Sequence, residues 1–279
     1  MVLRGFWRGT NPGGLQHYLH FLFSCKARFC ILFASEACVA SDVNRLKLVG
    51  VVRFGISHLY TNNVVVYPVI FMDDSRIREF LAPYGVNADS QLCERIRKYI
   101  ELLLAWNRKI SLTAVTEPDQ IVRFHFGESL FAIKRGHVEK SRLADVGSGA
   151  GFPGLPLAMV LPELDVTLIE SNSKKTAFLS EVVRRLDLKN VLVWRGRMES
   201  LEKSSRPFDF IVARALGDYE GLAQWAKDRL APSGKLVLWV GEEDASKISA
   251  LKGWDWATPI PIPNSRNRTI LIGTREGSH

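Results

Sequence analysis

The chain has 279 residues, 47% of them apolar, enough to bury a sizeable core, which excludes global disorder. A formal net charge of +8 favours a polyanionic partner such as nucleic acid. Four cysteines (Cys25, Cys30, Cys38 and Cys93) form no CxxC pair, which argues against a disulfide framework and a structural metal site.

The charge is unevenly spread. Residues 1–71 carry seven basic side chains against Glu36 and Asp42, leaving only +3 for residues 72–279. No membrane span is expected: 54–72 is broken by Ser57, His58, Asn62, Asn63 and Pro68, and 19–40 by Lys26 and Arg28. The same two charges argue against a secretory signal, and the acid-poor composition suits an organellar transit peptide better. The segment reads equally well as upstream sequence, with Met72 the natural first residue. The expected organisation is an extension over 1–71, a helical cap over 72–140 and a catalytic domain over 141–279.

From Met72 onward the pattern is regular. A helix is predicted over 75–81, stopped by Pro83 and Gly85. Asn87-Ala88-Asp89-Ser90 offers an N-cap to an amphipathic helix with Leu92, Ile96, Tyr99, Ile100 and Leu103 on one face. Another helix is expected from 118 to about 135. Strands then alternate with helices: strand 143–146, helix 154–161, strand 165–170, and helix 174–186 with Ala177, Phe178, Val182 and Leu186 inward. Strands 191–194 and 208–213 follow, then helix 219–230, a turn at Pro232-Ser233-Gly234, strand 235–240 and helix 245–252. Segments 258–262 and 269–273 read as a closing antiparallel hairpin. Such alternation with continuous apolar strands means a parallel α/β sheet covered on both faces.

Asp145-Val146-Gly147-Ser148-Gly149-Ala150-Gly151-Phe152-Pro153-Gly154 joins the first strand of this alternation to its helix. Glycines there allow a sharp turn and close approach to main-chain N–H groups, beyond the strand ends where open α/β sheets bind ligands. Two cofactor readings compete. Gly149, Gly151 and Gly154 satisfy the dinucleotide fingerprint G-x-G-x-x-G, with Glu170 21 residues after Gly149. Asp145, Gly147, Gly149 and Gly151 fit the D-x-G-x-G-x-G loop of S-adenosylmethionine-dependent methyltransferases. Pro153 favours the second, because it removes an N–H donor that a phosphate would use. Glu170 ends the second strand and is placed to accept both ribose hydroxyls in either case. Met198 can pack on an adenine ring and the backbone around Glu199 can read its edge, although an ordinary loop is the simpler reading of that pair.

Taken together, the motifs resemble the RsmG (GidB) family of bacterial ribosomal RNA methyltransferases over roughly residues 72–279. The most specific stretch is Asp145–Pro156, D-V-G-S-G-A-G-F-P-G-L-P. Trp106–Ala114 is similar to the family's W-N-x-x-x-N-L-T, with Ser111 for the usual Asn. His125–Leu130 is similar to its H-x-x-D-S-L, with Glu128 for the usual Asp. Val212-Ala213-Arg214-Ala215 is similar to its S-R-A motif. Phe124 and Val240 stand where positive charge is usual. The resemblance implies a class I (Rossmann-like) methyltransferase sheet with an antiparallel C-terminal hairpin and a small helical N-terminal cap. It implies methylation of N7 of guanine 527 in 16S ribosomal RNA, and cofactor contacts at Gly147, Phe152, Met198, Glu199 and Arg214. The partner would be 16S rRNA or the small ribosomal subunit, with no membrane, and the enzyme a cytoplasmic monomer.

Guanine N7 carries a free lone pair and no proton, so no general base is required, and the enzyme's work is positioning and exclusion of water. Arg214, after an apolar strand at the cofactor end of the sheet, could hold a cofactor carboxylate or the target's O6 or phosphate. His125 could stack on or hydrogen-bond a nucleotide, although a lone His in an apolar helix is more often structural. Arg184-Arg185, Arg195/Arg197, Lys174-Lys175 and Arg266/Arg268 could meet phosphates or remain solvated. The competing functions are a small-molecule methyltransferase, an NAD-binding oxidoreductase and a non-catalytic RNA-binding module. No His–Asp or Tyr-x-x-x-Lys arrangement supports hydride chemistry.

Overall fold

The computed structural model describes residues 72–132, 141–202, 206–265 and 267–277. The expectations for residues 1–71, for the end of the helix beyond 132 and for Arg266 lie outside the described residues.

Side-chain caps start the first two helices. Asp73 accepts the Arg76 N–H at 2.8 Å to begin α1 (Asp74–Leu81), and Asp89 accepts the Leu92 N–H at 2.7 Å to begin α2 (Ser90–Asn107). Between them Pro83 lies in a single 3-10 turn and Gly85 takes a φ of 70°, which ends α1 as expected. α2 buries the expected stripe of Ile96, Tyr99, Ile100 and Leu103 together with Cys93, while Leu92 stays half-buried. The next helical segment changes pitch along its length. It opens at Pro118 as α3 (Pro118–Ile121), widens into a π-helical stretch over Val122–Gly127 and closes as α4 (Glu128–Phe131). Such stretches recur at functional sites.

The sheet is built around a reversal of strand order. β1 (Arg142–Val146) pairs with β2 (Asp165–Glu170), and β2 with β3 (Val191–Arg195). The chain then crosses back, so that β4 (Phe208–Arg214) lies on the other side of β1, followed by β5 (Leu230–Gly241). All five are parallel. β8 (Arg268–Arg275) runs antiparallel beside β5, and β6 (Trp254–Trp256) and β7 (Ile260–Pro261) both pair with β8. The reversal between β1 and β4 opens a crevice at their C-terminal ends, where α/β sheets bind ligands.

Alternate residues of the strands are buried under different helices. Ala144, Ile211, Ala213, Leu236 and Leu238 pack with α7 (Tyr219–Lys227) and α8 (Glu242–Ile248). On the β1–β2–β3 side, α5 (Gly154–Val160) and α6 (Ser173–Arg185) follow their strands, and α2 packs against both.

The structure corrects four details of the sequence reading. The helix from Tyr219 ends at Lys227, and β5 already begins at Leu230. Phe208 pairs with Leu230 but Phe210 with Lys235, so Pro232-Ser233-Gly234 is an excursion inside a strand, not a turn before it. Proline cannot donate to the ladder, and the bulge places it outside the pairing. In α6 Ala177 is exposed and Thr176 is buried instead, its hydroxyl donating to the Ser173 carbonyl at 2.9 Å. The last helix starts at Glu242 and ends at Ile248, and the strand Trp254–Trp256 was not anticipated.

Candidate active site

The glycine loop is folded on itself and tied to both neighbouring strands. Gly147, Gly149 and Gly151 all take left-handed backbone, with φ of 71°, 56° and 87°. A side chain at Gly151 would run into the Tyr99 hydroxyl and the Leu155 side chain. At Gly149 a Cβ would meet only the Gly147 carbonyl oxygen, 3.6 Å away, so the space above that residue is open. The Glu170 carboxylate at the end of β2 closes the loop. One oxygen accepts the Gly149 N–H at 3.0 Å and the other the Asn172 N–H at 2.7 Å. Asp145, fully buried, accepts the Gly154 N–H on Oδ2 at 2.9 Å, while its Oδ1 has no partner. Burial pushes its carboxyl up to about 7, the Gly154 N–H opposing the rise.

These bonds decide between the two cofactor geometries. At the entry to α5, Pro153 has no N–H, Gly154 donates to Asp145, and the Leu155 N–H donates to the Gly151 carbonyl at 2.8 Å. The helix terminus therefore offers no spare amide to a pyrophosphate, which a dinucleotide fingerprint requires.

The cap closes over the loop with aromatic rings. Phe152 lies between Tyr99 (centroids 5.2 Å apart, planes 6°) and His125 (4.6 Å, 26°). Tyr99 also donates its hydroxyl to the Ala150 carbonyl at 2.5 Å. His125 Nε2 is 2.8 Å from Thr113 Oγ1, and Thr113 is held in turn by Asn107, which accepts from the Leu112 and Thr113 N–H groups and donates to the Thr113 carbonyl. Burial, then the charges of Arg214 and Arg268, pushes His125 down to about 3, so the imidazole is neutral at pH 7. Its Nδ1 is buried without a partner.

Beside His125 lies an ion cluster. Glu128 is fully buried, and both Arg268 Nη1 (2.7 Å) and Arg214 Nη2 (3.0 Å) meet its Oε2. Arg214 Nη2 also donates to the Phe124 carbonyl at 2.8 Å. The Trp239 indole N–H donates to the Glu128 carbonyl at 2.7 Å, fixing the helix to β5. Ala215, directly after Arg214, adopts a φ of 53°, a conformation costly for a residue with a side chain.

The structure brings Gly147, Gly149, Gly151, Phe152, Glu170, His125 and Arg214 to the C-terminal end of the sheet, with Asp145 buried beneath the loop. Met198 and Glu199 lie in a turn after β3. Met198 is half-buried against the core on the α7 side and Glu199 is exposed. Arg268 is not the free surface cation that the sequence suggested, since it pairs with Glu128, and Arg184 and Arg185 both pair with Glu181. Asn107, Thr113, Tyr99 and Glu128 were missed as site residues. The signal for Glu128 was present: an acid in an otherwise apolar run between Phe126 and Leu130 needs a partner.

A nucleoside-bearing cofactor fits these residues. Open space above Gly149 borders the Glu170 carboxylate, whose oxygens each receive one N–H and retain capacity to accept a diol. Among the described residues no cluster of His, Cys, Asp or Glu could hold a metal ion, and no helix is long and apolar enough to cross a membrane.

Comparison with known proteins is consistent with this geometry. The family described as rRNA small subunit methyltransferase G matches residues 92–254. Ribosomal RNA small subunit methyltransferase G of Xanthomonas euvesicatoria pv. vesicatoria is 35% identical over 192 residues, 68% of this chain and 89% of its own length. The protein of the same name from Lactococcus lactis subsp. cremoris is 33% identical over 205 residues, covering 69% and 86%. A solved SAM-dependent methyltransferase from Aquifex aeolicus aligns over 56% of this chain and 93% of its own, with 19% identity and a TM-score of 0.48. The fold assignment rests on the strand order described above.

Proposed function

The chain belongs to the rRNA small subunit methyltransferase G family, and from that premise we propose that it transfers a methyl group from S-adenosylmethionine to N7 of guanine 527 in 16S ribosomal RNA. The observation that carries the reading is the loop Asp145–Gly154. Its left-handed glycines lie open beside the Glu170 carboxylate, while its helix entry has no amide left for a pyrophosphate.

In this reading Glu170 accepts the ribose hydroxyls, and Gly147, Gly149 and Gly151 give backbone access to the rest of the cofactor. Asp145 holds the far end of the loop through Gly154. Phe152, locked between Tyr99 and His125, holds the loop against the cap. Met198 and Glu199 border the adenine. When bound, the cofactor supplies an electrophilic methyl on a sulfonium sulfur. No side chain has to remove a proton, because N7 has none, so the neutral His125 is suited to packing and hydrogen bonding rather than to base catalysis. Arg214, fixed by Glu128 and the Phe124 carbonyl, orients the reacting partners.

The same reading has the enzyme acting as a cytoplasmic monomer and residues 1–71 outside the catalytic unit. The test incubates the full chain with methyl-labelled S-adenosylmethionine and 16S RNA, free or in the small subunit. Label in 7-methylguanosine supports the function. Label only in small molecules, or tight NAD binding without transfer, contradicts it.

A further inference from the structure

The Glu128–Arg214 pair is incompletely used by the protein. Both guanidiniums crowd the same carboxylate oxygen, Oε2, and Glu128 Oε1 is buried without a partner. Arg214 uses Nη2 for Glu128 and for the Phe124 carbonyl, and its Nη1 is also buried without a partner. The Glu128 and Arg214 side chains are 1% and 12% exposed. An orphaned acceptor on an anion next to an orphaned donor on a cation is costly, and calls for a ligand with the complementary pair.

Position in the sheet says which ligand. Glu170, at the ribose end, closes β2. Glu128 is tied to the opposite flank, by Trp239 of β5 and Arg268 of β8, with β1 and β4 between. A group there lies two intervening strands away from the strand end that carries Glu170. We propose that Glu128 and Arg214 read the target guanine, Arg214 Nη1 donating to O6 and Glu128 Oε1 accepting from N1–H. This rests on the guanine methylation proposed above. Adenine offers an amino donor to the guanidinium and a lone pair to the carboxylate, so both contacts are mismatched. Neither contact occupies N7, whose lone pair stays free to react.

The experiment uses the full chain and 16S RNA in which the guanosine that the parent methylates is replaced by inosine, adenosine or 2-aminopurine. Single-turnover transfer is measured, and cofactor affinity by calorimetry. Inosine keeps O6 and N1–H and is expected to react within about tenfold of guanosine. Adenosine and 2-aminopurine lose both contacts and are expected to be at least about 100-fold slower. Glu128→Gln is expected to narrow the guanosine-over-adenosine ratio by about tenfold, with cofactor affinity within about twofold of the parent. Inosine as slow as adenosine, or an unchanged ratio in Glu128→Gln, overturns the proposal. So does a loss of cofactor affinity beyond about tenfold, which would turn Glu128 toward the cofactor. If the variant does not fold, the analogue series on the parent decides alone. If guanosine itself is not methylated, the proposed function has failed with it.

Discussion

Each buried group at the site has one task that a single substitution isolates. Gly149 and Gly151 are both left-handed, but only Gly151 is walled in. Gly151→Ala is expected to cost about 2–3 kcal/mol, read as a lower denaturation midpoint, because its Cβ meets Tyr99 and Leu155. Gly149→Val meets no wall but is strained at a φ of 56°, so it is expected to lose about 1–2 kcal/mol of stability and to lose cofactor affinity in calorimetry; unchanged affinity in the folded variant would remove the loop from the site. Asp145 supplies a pH signature. Its carboxyl sits near 7 in the folded chain against 3.8 when free, so the native state holds an extra proton between those values. Stability is therefore present in full below about pH 4 and falls as pH rises toward 7. Asp145→Asn is expected to flatten that slope in denaturant unfolding followed across pH 4–8. Arg214→Ala is expected to slow methyl transfer roughly ten- to a hundred-fold, the loss of one charge-assisted hydrogen bond. His125→Ala, which removes a neutral packing group, is expected to cost less. A fully active Arg214→Ala enzyme would end the role given to that residue.

At the scale of elements, the helical segment 118–131 holds the site together. It carries His125 and Glu128, and it approaches α1's end so closely that a Cβ at Gly127 would overlap the Tyr84 ring. Gly127→Ala is expected to push this segment away and to lower both the melting temperature and cofactor affinity, whereas Gly273→Ala, which crowds Trp254 and Trp256 at the far edge, should lower only the first. Much of this level was legible in sequence. The cap at Asp89, the α2 stripe and the strand ends Val146 and Glu170 follow from local chemistry, whereas the cap at Asp73, one residue before the helix the pattern predicts, does not. The pitch change at Val122 does not, because packing rather than propensity sets it. That Glu128 needs a partner is legible, but which partner is not, since Arg268 lies 140 residues away and is exposed enough to read as a surface cation. The excursion at Pro232 reads as a turn in the sequence because proline and glycine mark both.

For the whole molecule, composition separates residues 1–71, with most of the excess positive charge, from a remainder in which residues 92–254 match the family. The chain begun at Met72 is therefore expected to keep its cofactor affinity and methyl transfer. A folded but inactive short form would make the first 71 residues part of the enzyme. RNA binding by that short form should still weaken with salt, because phosphate contacts release counterions. The most direct test of the central claim is mass spectrometry of nuclease fragments from 16S RNA, before and after reaction with the full chain and S-adenosylmethionine. The account predicts that the fragment holding guanine 527 alone gains one methyl group, and that its nucleoside is 7-methylguanosine. A methyl group on another atom, on another nucleotide or on no RNA at all would contradict it.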